Sequence, residues 1–129
     1  MTSHQPPATS HTTIEEFQSE RERLNDVVMR YAGLEIKRFY SLDAQAYRDG
    51  ALPGKTKELL GLVASLVLRC DDCIKYHIIQ CFEAGFSDEE LQEALNVGLV
   101  VGGSIVIPHL RRALEAWDLL REKSRGKTV

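Results

Sequence analysis

Cys70 and Cys73 are separated by two aspartates, and His77 follows four residues after the second cysteine. Residues three and four apart share one face of a helix, so on a helix the three side chains form a stripe and can act together. Three residues of helix rise about 4.5 Å, which brings two α-carbons within the roughly 4.4–6.8 Å that a disulfide accepts. Cys70 and Cys73 can therefore bridge reversibly. A free thiol ionises near pH 8.5, so a reactive cysteine needs surroundings that favour its anion. The start of a helix and a nearby imidazole both do this, and the pair lies where a helix is expected to begin, one turn before His77. Asp71 and Asp72 suit a helix start, but their charge opposes a thiolate unless their side chains turn into solvent.

A zinc site is the chemical rival, because Cys70, Cys73, His77 and Cys81 are the ligand types of a three-cysteine, one-histidine set. The helix would rise about 16 Å from Cys70 to Cys81, too far for four ligands at bond lengths of about 2.0–2.3 Å. No metal is expected, and Cys81 is assigned to the core.

The elements that must position these residues are helical. Thr12 and Thr13 each precede a glutamate by three residues, Glu15 and Glu16, which marks a helix start. Ile14, Phe17, Leu24, Val28 and Tyr31 continue it at helical spacing to Ala32-Gly33. A second helix is predicted over Leu34–Asp49, with Tyr47 among its apolar positions, ending at Gly50. Pro53 then precedes a third over Lys55–Leu68, which carries Glu58. Cys70–Ala84 forms a fourth, closed by Gly85. Ser87 with Glu90 opens a fifth, interrupted by Gly102-Gly103, and Pro108 starts or kinks a sixth through Leu110, Leu114, Trp117 and Leu120. The run Ile105-Val106-Ile107 is too short to build a sheet. The expected class is all-α, with about six helices.

The 129 residues suit one domain, expected over 13–123, with a flexible tail over 1–12 and a frayed end over 124–129. Hydrophobic residues make up 43% and charged residues 27%, with a net charge of −3, which describes an ordinary globular chain. Basic residues alternate with acidic ones, as in Glu20-Arg21-Glu22-Arg23, so no basic stripe for nucleic acid forms. The segment 1–13 has no secretory pattern, and the greasiest stretch, Val97–Ile107, contains three glycines and a serine. No membrane contact is expected, and the location expected is cytoplasmic.

Glu58, Cys70, Cys73 and His77 together match E-x11-C-x-x-C-x3-H. In this the chain resembles the AhpD-like proteins of the carboxymuconolactone decarboxylase family, over roughly Leu52 to Trp117 and including the Ala84-Gly85-Phe86-Ser87 turn. The resemblance implies a compact helical domain that assembles as a trimer or hexamer and reduces peroxides through its cysteines, with no bound cofactor. By position, Cys73 would be the peroxidatic cysteine, Cys70 the proton donor and resolving thiol, and Glu58 with His77 a proton relay. The implied partners are a peroxide and a thiol reductant such as a lipoyl-bearing protein. Asp72 departs from the alkyl hydroperoxidase pattern, which has histidine there. A decarboxylase or other proton-transfer enzyme using His77 and Glu58, and a non-catalytic helical assembly module, are the competing readings.

Overall fold

The computed structural model describes residues 13–126; the expected tail over 1–12 and the last three residues lie outside them. Six α-helices and one 3-10 turn occur among the described residues, with no strand. The chain divides into two compact units between Ala46 and Tyr47.

The first unit holds α1 (Ile14–Tyr31) and α2 (Leu34–Ala46). Thr13 caps α1 in a reciprocal box: its hydroxyl accepts from the Glu16 amide, and the Glu16 carboxylate accepts from the Thr13 amide. Tyr40 donates its hydroxyl to Asn25 Oδ1 at 3.3 Å, linking the two helices. Leu34, Ile36, Phe39, Tyr40 and Leu42 of α2 are exposed.

The second unit contains α3 (Gly54–Leu68), α4 (Asp71–Glu83), α5 (Asp88–Gly102), a 3-10 turn (Ser104–Val106) and α6 (Ile107–Gly126). α3 packs on both α4 and α5, and α4 packs on α6. Leu62 and Leu66 of α3, Ile74, Ile78 and Ile79 of α4, Leu91 and Leu95 of α5, and Trp117 and Leu120 of α6 fill the centre. Burial of these side chains is the main force holding the helices together, each contributing about 1.5–3 kcal/mol if fully buried. Gly98 lets α5 approach α3 closely: a Cβ there would meet Leu66 Cδ2 at 2.9 Å.

α2 ends at Ala46, three residues before the expected Asp49, because the chain beyond it finds other hydrogen bonds. Asp49 accepts from the Gly54 amide, Gly50 donates to the Leu52 carbonyl at 3.0 Å, and Lys57 donates to the Arg48 carbonyl at 2.6 Å. Tyr47 thereby leaves the helical series and opens the second unit. At the other end, α6 continues past the expected boundary at residue 123 to Gly126.

Candidate functional site

The connection between α3 and α4 is as short as a chain can make it. Arg69 adopts a left-handed conformation (φ 62°, ψ 39°), donating its amide to Leu66 while the Cys70 amide donates to Ser65 at 3.1 Å. These two bonds are those of a Schellman terminus, which satisfies the last carbonyls of α3. Cys70 is thus the residue that closes α3 and also the N-cap of α4, where the sequence had placed it inside the helix. Its Sγ lies 3.3 Å from the Cys73 amide and accepts that N–H, in the role a serine or aspartate usually fills.

The two cysteines are therefore together, with Cys73 exposed, Cys70 half-buried, and both sulfurs reduced. Cys73 is pushed up to about 11: first by desolvation, then by its hydrogen bond with Cys70 and the charges of Cys70 and Asp72. Cys73 is exposed at the surface, so solvent relieves part of the desolvation. The charge contributions follow directly from the geometry and leave the same sign. Two thiols this close cannot both ionise readily, so ionisation of one opposes ionisation of the other. Cys81 lies fully buried on the same helix, with its thiol pushed up to about 12 by burial and then by Glu58.

Glu58 and His77 form a second pair. Glu58 Oε1 lies 2.8 Å from His77 Nδ1, with both side chains largely buried. A carboxylate accepts, so the ring donates from Nδ1, and it is the neutral ring with this tautomer that presents a lone pair at Nε2. Tyr47 brings its hydroxyl to 3.4 Å from that Nε2, and its ring sits 5.4 Å from the imidazole; Tyr76 meets the same imidazole edge-on at 5.1 Å. Gly61 of α3 permits the close approach, since a Cβ there would lie 2.7 Å from both His77 Cε1 and the Tyr47 hydroxyl.

His77 is thus engaged at both ring nitrogens, and among the described residues no hydrogen bond joins it to either sulfur. The four residues singled out in the sequence arrive as two couples on adjoining elements, Cys70 with Cys73 and Glu58 with His77. Among the described residues no three His, Cys, Asp or Glu side chains converge as a metal set.

Sequence reasoning missed Tyr47, counted there as an apolar helix position, and a cluster at the start of α4. Asp71 Oδ1 lies 2.8 Å from His109 Nδ1, and Asp71 Oδ2 accepts from Arg112 Nε at 3.0 Å. The three-residue spacing of His109 and Arg112 puts them on one face of α6, which was the available signal, but their partner is 38 and 41 residues away. Elsewhere, a groove of about 400 Å³ between α5 and α6 is lined by Leu91, Leu95, Leu110 and Trp117 among others, and includes none of the four predicted residues.

Residues 36–116 match the model of the carboxymuconolactone decarboxylase family, and the chain belongs to that family. A crystal structure of a Thermotoga maritima protein is 55% identical, with a TM-score of 0.85 over 87% of this chain and 98% of that one. A second Thermotoga maritima structure, of a protein of this family for which an antioxidative role has been suggested, gives 55% identity and a TM-score of 0.83, covering 88% of this chain and 97% of that one. An apo-form family protein from Legionella pneumophila is 27% identical over 81% of this chain and 94% of that one, with a TM-score of 0.74. An uncharacterised protein of Cupriavidus necator is 30% identical over 82 residues, 64% of this chain and 73% of that one.

Proposed function

We propose that this chain is a thiol-dependent peroxidase or disulfide oxidoreductase whose working groups are Cys73, Cys70, His77 and Glu58, with Tyr47 added to the proton relay. The observation that carries this reading is the Cys70 sulfur at the N-cap of α4, 3.3 Å from the Cys73 amide. A helix start stabilises negative charge, so in the reactive form of the pair the anion is placed on Cys70, and Cys73, raised by its neighbours, keeps its proton.

The Cys73 proton passes to Cys70, and the Cys73 thiolate attacks the terminal peroxide oxygen, breaking the O–O bond. Cys73 becomes a sulfenic acid, and the proton held by Cys70 goes to the departing alkoxide, which leaves as alcohol. The Cys70 thiolate then attacks the sulfenic sulfur, forming the disulfide and releasing hydroxide, which takes up a proton to leave as water. The peroxide is reduced by two electrons and the pair oxidised by two. A dithiol reductant, such as a lipoyl-bearing protein, returns the pair to its starting state. Glu58, His77 and Tyr47 form a part-buried hydrogen-bonded line that bonds neither sulfur directly, and protons pass between it and the cysteines through water.

The antioxidative role suggested for the Thermotoga maritima relative supports the same chemistry. Trimeric or hexameric assembly and a cytoplasmic location belong to this proposal; no helix among the described residues is long and apolar enough to cross a membrane.

A second reading, proton-transfer or decarboxylase chemistry, is favoured by the buried Glu58–His77 pair, which needs no sulfur. Stopped-flow oxidation of the reduced protein with hydrogen peroxide and with an organic hydroperoxide separates the two. Peroxidase chemistry requires rapid loss of both Cys70 and Cys73 thiols and its abolition by prior alkylation. Oxidation no faster than that of a free thiol would defeat it.

A further inference from the structure

Asp71 is the first residue of α4 and the neighbour of Cys70. A carboxylate there interacts well with the helix start, yet it competes with a thiolate for the same positive end. α6 answers that carboxylate at both oxygens: His109 Nδ1 at 2.8 Å from Oδ1, and Arg112 Nε donating to Oδ2 at 3.0 Å. Arg112 Nη2 also lies 3.3 Å from His109 Nδ1, which places the two α6 side chains side by side on the carboxylate; with its Nδ1 proton given to Asp71, His109 does not accept from Arg112 there. These side chains are only partly exposed, which weakens screening by solvent. Asp72, by contrast, is exposed, and its charge contributes to the upward push on Cys73. Along the chain, the nearest other charged residues are Arg69, just before Cys70, and Lys75, one turn further along α4.

We infer that His109 and Arg112 are positioning residues of the cysteine pair: Arg112 offsets the charge of Asp71, and the two together hold both its oxygens against α6, leaving the first turn of α4 free to stabilise a thiolate at Cys70. The inference rests on the proposed role of the pair as the reacting centre. It assigns work to a cluster that touches neither peroxide nor sulfur and acts through Asp71 alone.

The rate of Cys70 alkylation by iodoacetamide against pH tests it, measured by peptide mapping in a Cys73→Ser background so that one sulfur is followed. Arg112→Gln keeps a polar side chain but removes its charge; His109→Ala removes the other bond. Each should move the midpoint of the profile upward and slow alkylation at pH 7 by about three- to tenfold, tenfold being one pKa unit. Adding Asp71→Asn to either variant should restore the parent rate, since there is then no charge to hold. A merely structural clamp behaves in the opposite way, because breaking both sides of it restores nothing. A profile unmoved by Arg112→Gln, or one that Asp71→Asn fails to restore, overturns the inference. No peroxide enters this assay. A pair inert to peroxide whose profile still shifts and is restored leaves the inference standing and defeats the peroxidase reading alone.

Discussion

The imidazole of His77 and the carboxylate of Glu58 meet at 2.8 Å, and this bond ties the helix before the cysteines to the helix that begins with them. Residues that act as one relay are strongly non-additive when removed. Glu58→Gln should lower peroxide turnover by about 10²- to 10⁴-fold, the usual range for general acid–base groups, and His77→Ala by a similar factor. The double variant should be little worse than either single one. Losses that multiply in the double variant would mean that the two groups work separately.

Gly61 lies against the far edge of the same imidazole. In Gly61→Ala the new methyl would need the space of His77 Cε1 and the Tyr47 hydroxyl, each 2.7 Å from where it must sit. Overpacking of this kind costs about 1–3 kcal/mol, and here it also turns the ring away from Glu58 or Tyr47. The variant should fold with a lowered denaturation midpoint and lose most of its peroxide turnover. Full turnover in a destabilised Gly61→Ala protein would show that the ring position does not matter.

The helices and the nearness of Cys70 to Cys73 were legible in the sequence because both depend on local spacing, whereas Glu58 was singled out only through the family resemblance. Capping boxes at Thr13 and Ser87 formed as the glutamates three residues later required, and Cys81 reached the core. What the sequence did not disclose depends on distant partners. Tyr47 fits a helical period, but Asp49, Gly50 and Lys57 close a turn that ends α2 first. Asp71 could be placed at a helix start from the sequence, but not against its partners on α6, His109 and Arg112. The left-handed Arg69 also gave no signal, since arginine is an unusual residue for a helix terminus that normally favours glycine.

That arginine offers a test of the α3–α4 junction. A non-glycine residue in the left-handed region carries about 1–2 kcal/mol of strain, partly offset by the greater freedom glycine has to lose on folding. Arg69→Gly should therefore stabilise the protein by about 0.5–1 kcal/mol in urea denaturation. A destabilised variant would mean that the Arg69 side chain makes an interaction worth more than the strain.

Cys81 should make the fold sensitive to alkali. Its thiol is raised to about 12 in the folded state, first by burial and then by Glu58, against about 8.5 in an unfolded chain. The unfolded state therefore loses this proton first. Stability from this group is fully present below about pH 8.5 and declines as pH rises towards about 12. Cys73 tilts the balance the same way, so the comparison must isolate Cys81. Cys81→Val should lose stability more slowly than the parent between pH 8 and pH 10.5. Parallel losses in the two proteins would refute a buried neutral thiol.

The roles of the two sulfurs can be separated by the effect of each on the other's ionisation. Cys73 is held near 11 partly because Cys70 bonds to it and carries charge beside it. Replacing Cys70 by serine removes both contributions, so the Cys73 alkylation midpoint should fall in Cys70→Ser, and the thiol should react faster at pH 8 than in the parent. With peroxide, the same variant should react once and stop as a sulfenic acid that a dimedone-type probe traps, because no second thiol remains to resolve it. Cys73→Ser should consume no peroxide. The opposite assignment has a physical basis too, since Cys70 sits at the N-cap, where an anion is best stabilised. It predicts a trapped sulfenic acid in Cys73→Ser and none in Cys70→Ser. The site favours Cys73 as the attacking sulfur because an anion well stabilised by the helix start is a weaker nucleophile, whereas a thiol of higher pKa, once deprotonated by its neighbour, is a stronger one. A probe adduct found at Cys70 would reverse the order of attack and make Cys73 the resolving thiol.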